Sequence, residues 1–119
     1  MAVKDRQPAV RRVPSAHDPI LGDVVGRLVR AYHPERVYLF GSAARGDAGP
    51  DSDYDILVVV ADDSAPGQQD ERMAYEALVG TGAAVDVLVY RASDFYGRLP
   101  LKASLPAAVV REGKLLYAA

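Results

Sequence analysis

The chain has 119 residues, half of them apolar or aromatic and a quarter charged, with a formal charge of −2. That length supports one hydrophobic core rather than two, and the slightly acidic balance argues against a general nucleic-acid binder. The absence of cysteine excludes disulfides, thiolate metal sites and thiol catalysis. No apolar run reaches a membrane span and no signal-peptide pattern is visible, so no membrane association and a cytoplasmic location are expected.

Residues 1–18 form a segment of their own, with Lys4, Arg6, Arg11 and Arg12 set among Pro8, Pro14 and polar residues and no helical or alternating period. A flexible tail is expected there, and a single domain over 19–119. Asp18-Pro19 stands in the favoured order for a helix start, a capping side chain followed by proline in the first turn. Ile20, Leu21, Val24, Val25, Leu28, Val29 and Tyr32 then recur on one helical face until Pro34 stops the helix. His17 and His33 are the only histidines; both are expected at the surface and neither is given a role.

A hydrophobic strand from Val37 to Phe40 comes next and ends in Gly41-Ser42, from which a short helix through Ala43, Ala44 and Arg45 is expected. Asp47, Gly49, Pro50 and Asp51 read as a tight return, and a second apolar strand begins at Asp53-Tyr-Asp55 and runs to Val60. Asp62 to Gly67 reads as a loop, Gln68 to about Val79 as a helix, Gly80 to Ala83 as a turn and Val85 to Tyr90 as a third strand. A short helix around Phe95 to Leu99, a helix from Leu105 to Glu112 stopped by Gly113, and a last strand from Lys114 to Tyr117 complete the prediction. The expected fold class is α/β (α+β), a small mixed sheet of three to four strands packed with helices.

The chemistry is concentrated between Gly41 and Asp55. Side chains alternate along a strand, so Asp53 and Asp55 project together while Tyr54 points away, with Cα atoms about 6.5 Å apart. Two hard oxygen ligands with no histidine or cysteine nearby suit Mg²⁺ or Mn²⁺ rather than zinc. Like charges set this close need a cation to offset them. Gly41 allows a sharp turn and close approach of a phosphate to the backbone, Ser42 adds a hydroxyl, and Arg45 offers a forked donor to a phosphate oxygen. An EF-hand is rejected because Ile56 occupies the position that requires glycine, and a P-loop because the Gly-Ser turn lacks the Gly-Lys-Ser/Thr ending. Tyr54 and Tyr90 are expected to fill apolar surface next to the site, Tyr90 with the option of touching a base.

Gly41-Ser42, a ten-residue spacer, Asp53-x-Asp55 and a further acid in the Val85-Asp-Val-Leu-Val-Tyr90 strand resemble the signature of the polymerase β-type nucleotidyltransferase superfamily, and most closely its minimal nucleotidyltransferase (MNT) family. The resemblance covers roughly residues 20 to 117. It implies that Asp53, Asp55 and Asp86 are catalytic metal ligands for two Mg²⁺ ions and that ATP is the substrate. It also implies that Gly41 and Ser42 belong to the nucleotide-binding turn, with Asp86 acting on the acceptor hydroxyl; Arg45 is placed among the nucleotide-binding residues by its charge and position, not by the motif. MNT proteins are typically antitoxins of HEPN-domain ribonuclease toxins and adenylylate a toxin tyrosine. Larger superfamily members carry a helical acceptor domain for which this chain has no room, so a partner or a second copy is expected to supply that surface. Two other outcomes stay open: neutralisation by binding alone, or transfer to a small molecule such as an aminoglycoside.

Overall fold

The computed structural model describes residues 18–45 and 53–119, so the basic tail with His17 and the expected return through Asp47, Gly49, Pro50 and Asp51 lie outside the described residues. Helix α1 (Pro19–Tyr32) begins at the predicted cap: the Asp18 carboxylate accepts from the amides of Ile20 at 3.0 Å and Leu21 at 3.2 Å. It ends at His33, which adopts the left-handed conformation (φ 47°) and donates to the Val29 carbonyl, and Pro34 cannot continue the ladder. Leu21, Val24, Val25, Leu28 and Tyr32 are buried as the helical period requires, whereas Ile20 stays 44 % exposed at the open first turn.

Four strands make one sheet: β1 (Arg36–Phe40), β2 (Tyr54–Val60), β3 (Val85–Arg91) and β4 (Lys114–Ala118), in the order β3-β2-β1-β4. β1 runs antiparallel to β2 and β4, and β2 runs parallel to β3, so the sheet is mixed as expected. Alternation divides its side chains between two cores. Val37, Leu39, Ile56, Val58, Val60 and Val87 face α1 and α3 (Arg72–Ala77). Tyr38, Leu57 and Val59 face Phe95 of α4 (Ala92–Gly97) and Val109 of α5 (Leu105–Glu112). Covered on both sides, β2 is buried without interruption from Ile56 to Val60, which is why its sequence is a continuous apolar run.

The helix expected from Gln68 to about Val79 is shorter and broken. A 3₁₀ turn spans Pro66–Gln69, and α3 starts only at Arg72. Asp70 interrupts them: its Oδ1 accepts from the Arg72 amide at 2.8 Å, a local side-chain bond that competes with the helical ladder. Arg27 of α1 then holds the far end, donating to the carbonyls of Ala77 at 3.2 Å and Val79 at 2.8 Å. The short helix expected around Phe95 to Leu99 begins three residues earlier, at Ala92.

Tyr32 links these elements. It is almost wholly buried, and its hydroxyl donates to the Asp70 carbonyl at 2.6 Å. Burial pushes its pKa up from 10.0 to about 12. The native state therefore retains the phenolic proton after the unfolded chain has lost it. Stability contributed by Tyr32 is complete below pH about 10 and falls by about 2–3 kcal/mol as the pH rises toward 12. Urea denaturation at about pH 9 and about pH 12 should show this loss, and Tyr32→Phe should make it shallower.

Gly113 stops α5 for a reason other than the one expected. Its φ of −87° is open to any residue, so it is not a left-handed cap. A β-carbon there would stand 2.5 Å from the Val109 carbonyl oxygen and 2.6 Å from that of Leu39, both backbone atoms of elements packed on either side. Gly113→Ala should cost about 1–3 kcal/mol in denaturant unfolding, because neither carbonyl can rotate away without breaking a ladder bond.

Candidate active site

The end of the sheet where β1 stops and β2 and β3 start gathers the residues singled out from the sequence. Phe40 closes β1 and pairs with Asp55, and Asp55 pairs with Asp86 across the parallel β2–β3 ladder. Adjacent strands lie about 4.8 Å apart, so the side chains of Asp55 and Asp86 stand next to each other on one face. Asp53 lies two residues before Asp55 on the same side and is exposed, as is Asp86. This is the face that α4 and α5 cover farther along the strands, over Leu57 and Val59.

Gly41 makes the turn out of β1 with φ +73°, in the left-handed region, and opens α2 (Gly41–Arg45). A β-carbon at this position would clash with Asp55 Oδ2 and lie 3.2 Å from its Cγ. The glycine backbone is therefore packed directly against the carboxylate. Ser42 is half-buried, Ala44 is buried and anchors α2, and Arg45 is exposed.

The electrostatics of Asp55 reflect this crowding. Its pKa is raised, first by partial burial, then by the negative charges of Asp86 and Asp53; Arg45 acts in the opposite direction. Four of the residues singled out from sequence thus share one field. Among the described residues no group of three or more His, Cys, Asp or Glu side chains is gathered closely enough to hold a metal ion by itself. An all-oxygen site of the magnesium type takes only one or two carboxylates and completes its shell with water and substrate phosphate oxygens. A desolvated carboxylate repelled by two others, with no nitrogen or sulfur ligand in the set, fits such a hard divalent ion.

Tyr54 faces the other way, as alternation requires. It packs against the α1–α3 core, and its hydroxyl donates to Asp18 Oδ2, a partner that sequence alone did not suggest. Tyr90 is on the same face as Asp86 but four residues along, where it meets Phe95 edge-on at 6.2 Å in the second core. Two surface depressions lie away from Asp53, Asp55 and Asp86. One, about 430 Å³, is lined by Asp23, Arg27, Arg30, Ala31 and Ala77; the other, about 370 Å³, by Gln69, Val89, Tyr90, Arg91, Asp94 and Arg98.

Residues 22–114 match the family model for the nucleotidyltransferase domain. No curated protein sequence matches the chain significantly. Among solved structures, a candidate nucleotidyltransferase from Sulfolobus solfataricus superposes with a TM-score of 0.57 at 21% identity, covering 99% of this chain and 93% of that one. A toxin–antitoxin structure with AMP-PNP gives 0.53 at 24% identity over 82% of this chain and 73% of the other. A toxin–antitoxin MntA-HpeT variant, with two aspartates two positions apart changed to glutamate, gives 0.52 at 24% identity over 80% and 71%. These likenesses establish a shared fold, and the family match extends over most of the chain: it is a nucleotidyltransferase, a member of the nucleotidyltransferase domain family.

Proposed function

We propose that this protein is an antitoxin of the minimal nucleotidyltransferase type that transfers AMP from ATP to a tyrosine hydroxyl of a HEPN-domain ribonuclease toxin. The observation that carries the proposal is the placement of Asp55 beside Asp86, with Asp53 on the same side and the Gly41 backbone against Asp55. In this assignment Asp53 and Asp55 would hold Mg²⁺ with the triphosphate, and Asp86 would join them toward the acceptor. Bound there, the metal ions would neutralise charge on the transferring phosphoryl group.

The chain's own groups position the reactants. Gly41 lets the pyrophosphate portion approach the backbone, Ser42 donates to it, and Arg45 neutralises part of its charge. Asp86 orients the acceptor hydroxyl and takes its proton as the oxygen forms its bond to the α-phosphorus. Pyrophosphate leaves in line on the opposite side, toward Gly41 and Ser42. Most of the acceleration would come from alignment and charge stabilisation.

A toxin as acceptor is supported by the two toxin–antitoxin structures that share this fold, one holding an ATP analogue and the other changed at two aspartates with the spacing of Asp53 and Asp55. The choice of a HEPN ribonuclease and of tyrosine rests on the resemblance of Gly41-Ser42, Asp53-x-Asp55 and Asp86 to the MNT signature. No helix among the described residues is long and apolar enough to cross a membrane. The cytoplasm, where ATP and such a toxin meet, is the proposed compartment.

The test is co-expression with the neighbouring gene product, followed by intact mass measurement and a ribonuclease assay. Wild type should add the mass of AMP to the toxin and silence it, while Asp53→Ala should bind the toxin and leave it unmodified and active. Equal silencing by Asp53→Ala would replace catalysis with neutralisation by contact.

A further inference from the structure

Tyr54 stands between the two carboxylates of the motif yet faces the opposite side of the sheet. Its hydroxyl donates to Asp18 Oδ2, while Asp18 Oδ1 accepts from the amides of Ile20 at 3.0 Å and Leu21 at 3.2 Å. A single carboxylate therefore holds both the first turn of α1 and the first residue of β2. Phenylalanine would fill the same apolar space, and the cap needs only one oxygen of Asp18. The phenol–carboxylate bond is thus surplus to both packing and capping.

Its position suggests what it is for. On the β3 side the β2 ladder begins at Tyr54, and on the β1 side it begins at Asp55, so Asp53 lies beyond both sets of ladder pairs. The last backbone bond before it is Tyr54 N–H to the Ala84 carbonyl at 2.9 Å. Side chains on opposite faces of a strand turn together when the strand rotates about its own axis. Pinning the Tyr54 ring at its far end therefore fixes the direction in which Asp53 and Asp55 leave the other face. We propose that Tyr54, held by Asp18, is a positioning residue that sets the aim of Asp53 and Asp55. The inference rests on the role given to those two carboxylates above.

Tyr54→Phe removes the hydroxyl and keeps the ring. Asp18→Ser keeps a good helix cap but is too short to reach the phenol while capping. Each variant, and the double variant, would be compared with wild type by amide exchange in the metal-free protein and by the Mn²⁺ concentration at half-saturation with AMP-PNP. Both single variants should exchange the Tyr54 and Asp55 amides about tenfold faster, with Ile56 to Val60 unchanged. Both should raise the Mn²⁺ midpoint roughly tenfold, the size of effect seen when a supporting partner of a ligand is removed. The double variant should be no worse than either single one, because the two changes cut one bond.

Wild-type exchange at Tyr54 and Asp55 in either single variant would overturn the proposal, as would effects that add in the double variant. Loss of protection along the whole of β2 would overturn it too, since that is general destabilisation. If wild type binds no Mn²⁺–AMP-PNP, the nucleotidyl-transfer assignment fails, and the exchange comparison still decides whether the bond orders the segment.

Discussion

Gly41→Ala is expected to reduce nucleotidyl transfer at least about 100-fold, because a shift of about 1 Å in a reacting constellation has that effect. Two separate costs meet at this position. The backbone sits at φ +73°, where a β-carbon costs about 1–2 kcal/mol in any surroundings. The new atom would also clash with Asp55 Oδ2, so the carboxylate must shift from its place beside Asp86. Gly80 separates the two effects: it has φ +89° and nothing within 4 Å of its own β-carbon position. Gly80→Ala should show the backbone cost as a lowered melting temperature with transfer intact. Gly41→Ala should show a similar stability loss and the collapse of activity. Steady-state kcat/KM and thermal unfolding on the two variants decide the point, and equal activity in both would remove Gly41 from the site.

Asp55→Asn should abolish transfer while raising the melting temperature of the metal-free protein. In wild type the ionised Asp55 is partly desolvated and faces the charges of Asp86 and Asp53, and its pKa is raised, first by that burial and then by those charges. Folding therefore places this charge in an environment less favourable than water. The amide is nearly the same shape and carries no charge, so it removes the repulsion and leaves the packing against Gly41. Adding Mg²⁺ with a non-hydrolysable ATP analogue reverses the order. Wild type then gains stability by about 2.7 kcal/mol at a hundredfold excess over Kd, whereas the variant, lacking a ligand, gains little. A melting temperature of Asp55→Asn below that of metal-free wild type would contradict this picture of a site held ready for a cation.

The sequence carried most of this in two periodicities and one motif. Alternation in Asp53-Tyr54-Asp55 separates the carboxylates from the tyrosine, and the structure places them on opposite faces as that parity requires. The continuous apolar run of β2 follows from cover on both sides. The α1 stripe and its Asp18 cap were readable because both are local, and Asp86 was readable only through the motif. Its place beside Asp55 is a matter of register between strands 31 positions apart, which no local pattern encodes.

What was not legible depends on contacts made at a distance or on competition between bonds. The break at Asp70 reflects a choice between two local hydrogen-bonding patterns of similar strength, settled by the Tyr32 hydroxyl and the docking of α3. Gly113 signals a helix end by either of two mechanisms, and only the positions of the Val109 and Leu39 carbonyls distinguish them. Tyr90, read as a neighbour of the site, is taken up by Phe95, a residue on the next helix. The second oxygen of Asp18 finds Tyr54 across 36 positions of sequence, and nothing in either residue type announces the pair.

The most direct measurement is to supply the protein and the proposed toxin partner with ATP labelled at either the α- or the γ-phosphorus, in the presence of Mg²⁺. Nucleotidyl transfer predicts that α-label enters the toxin while γ-label appears only in pyrophosphate, and that Asp53→Ala gives neither result. γ-Label in the toxin would indicate phosphoryl transfer instead, and toxin silenced without any label would show that contact alone suffices; either would contradict the account.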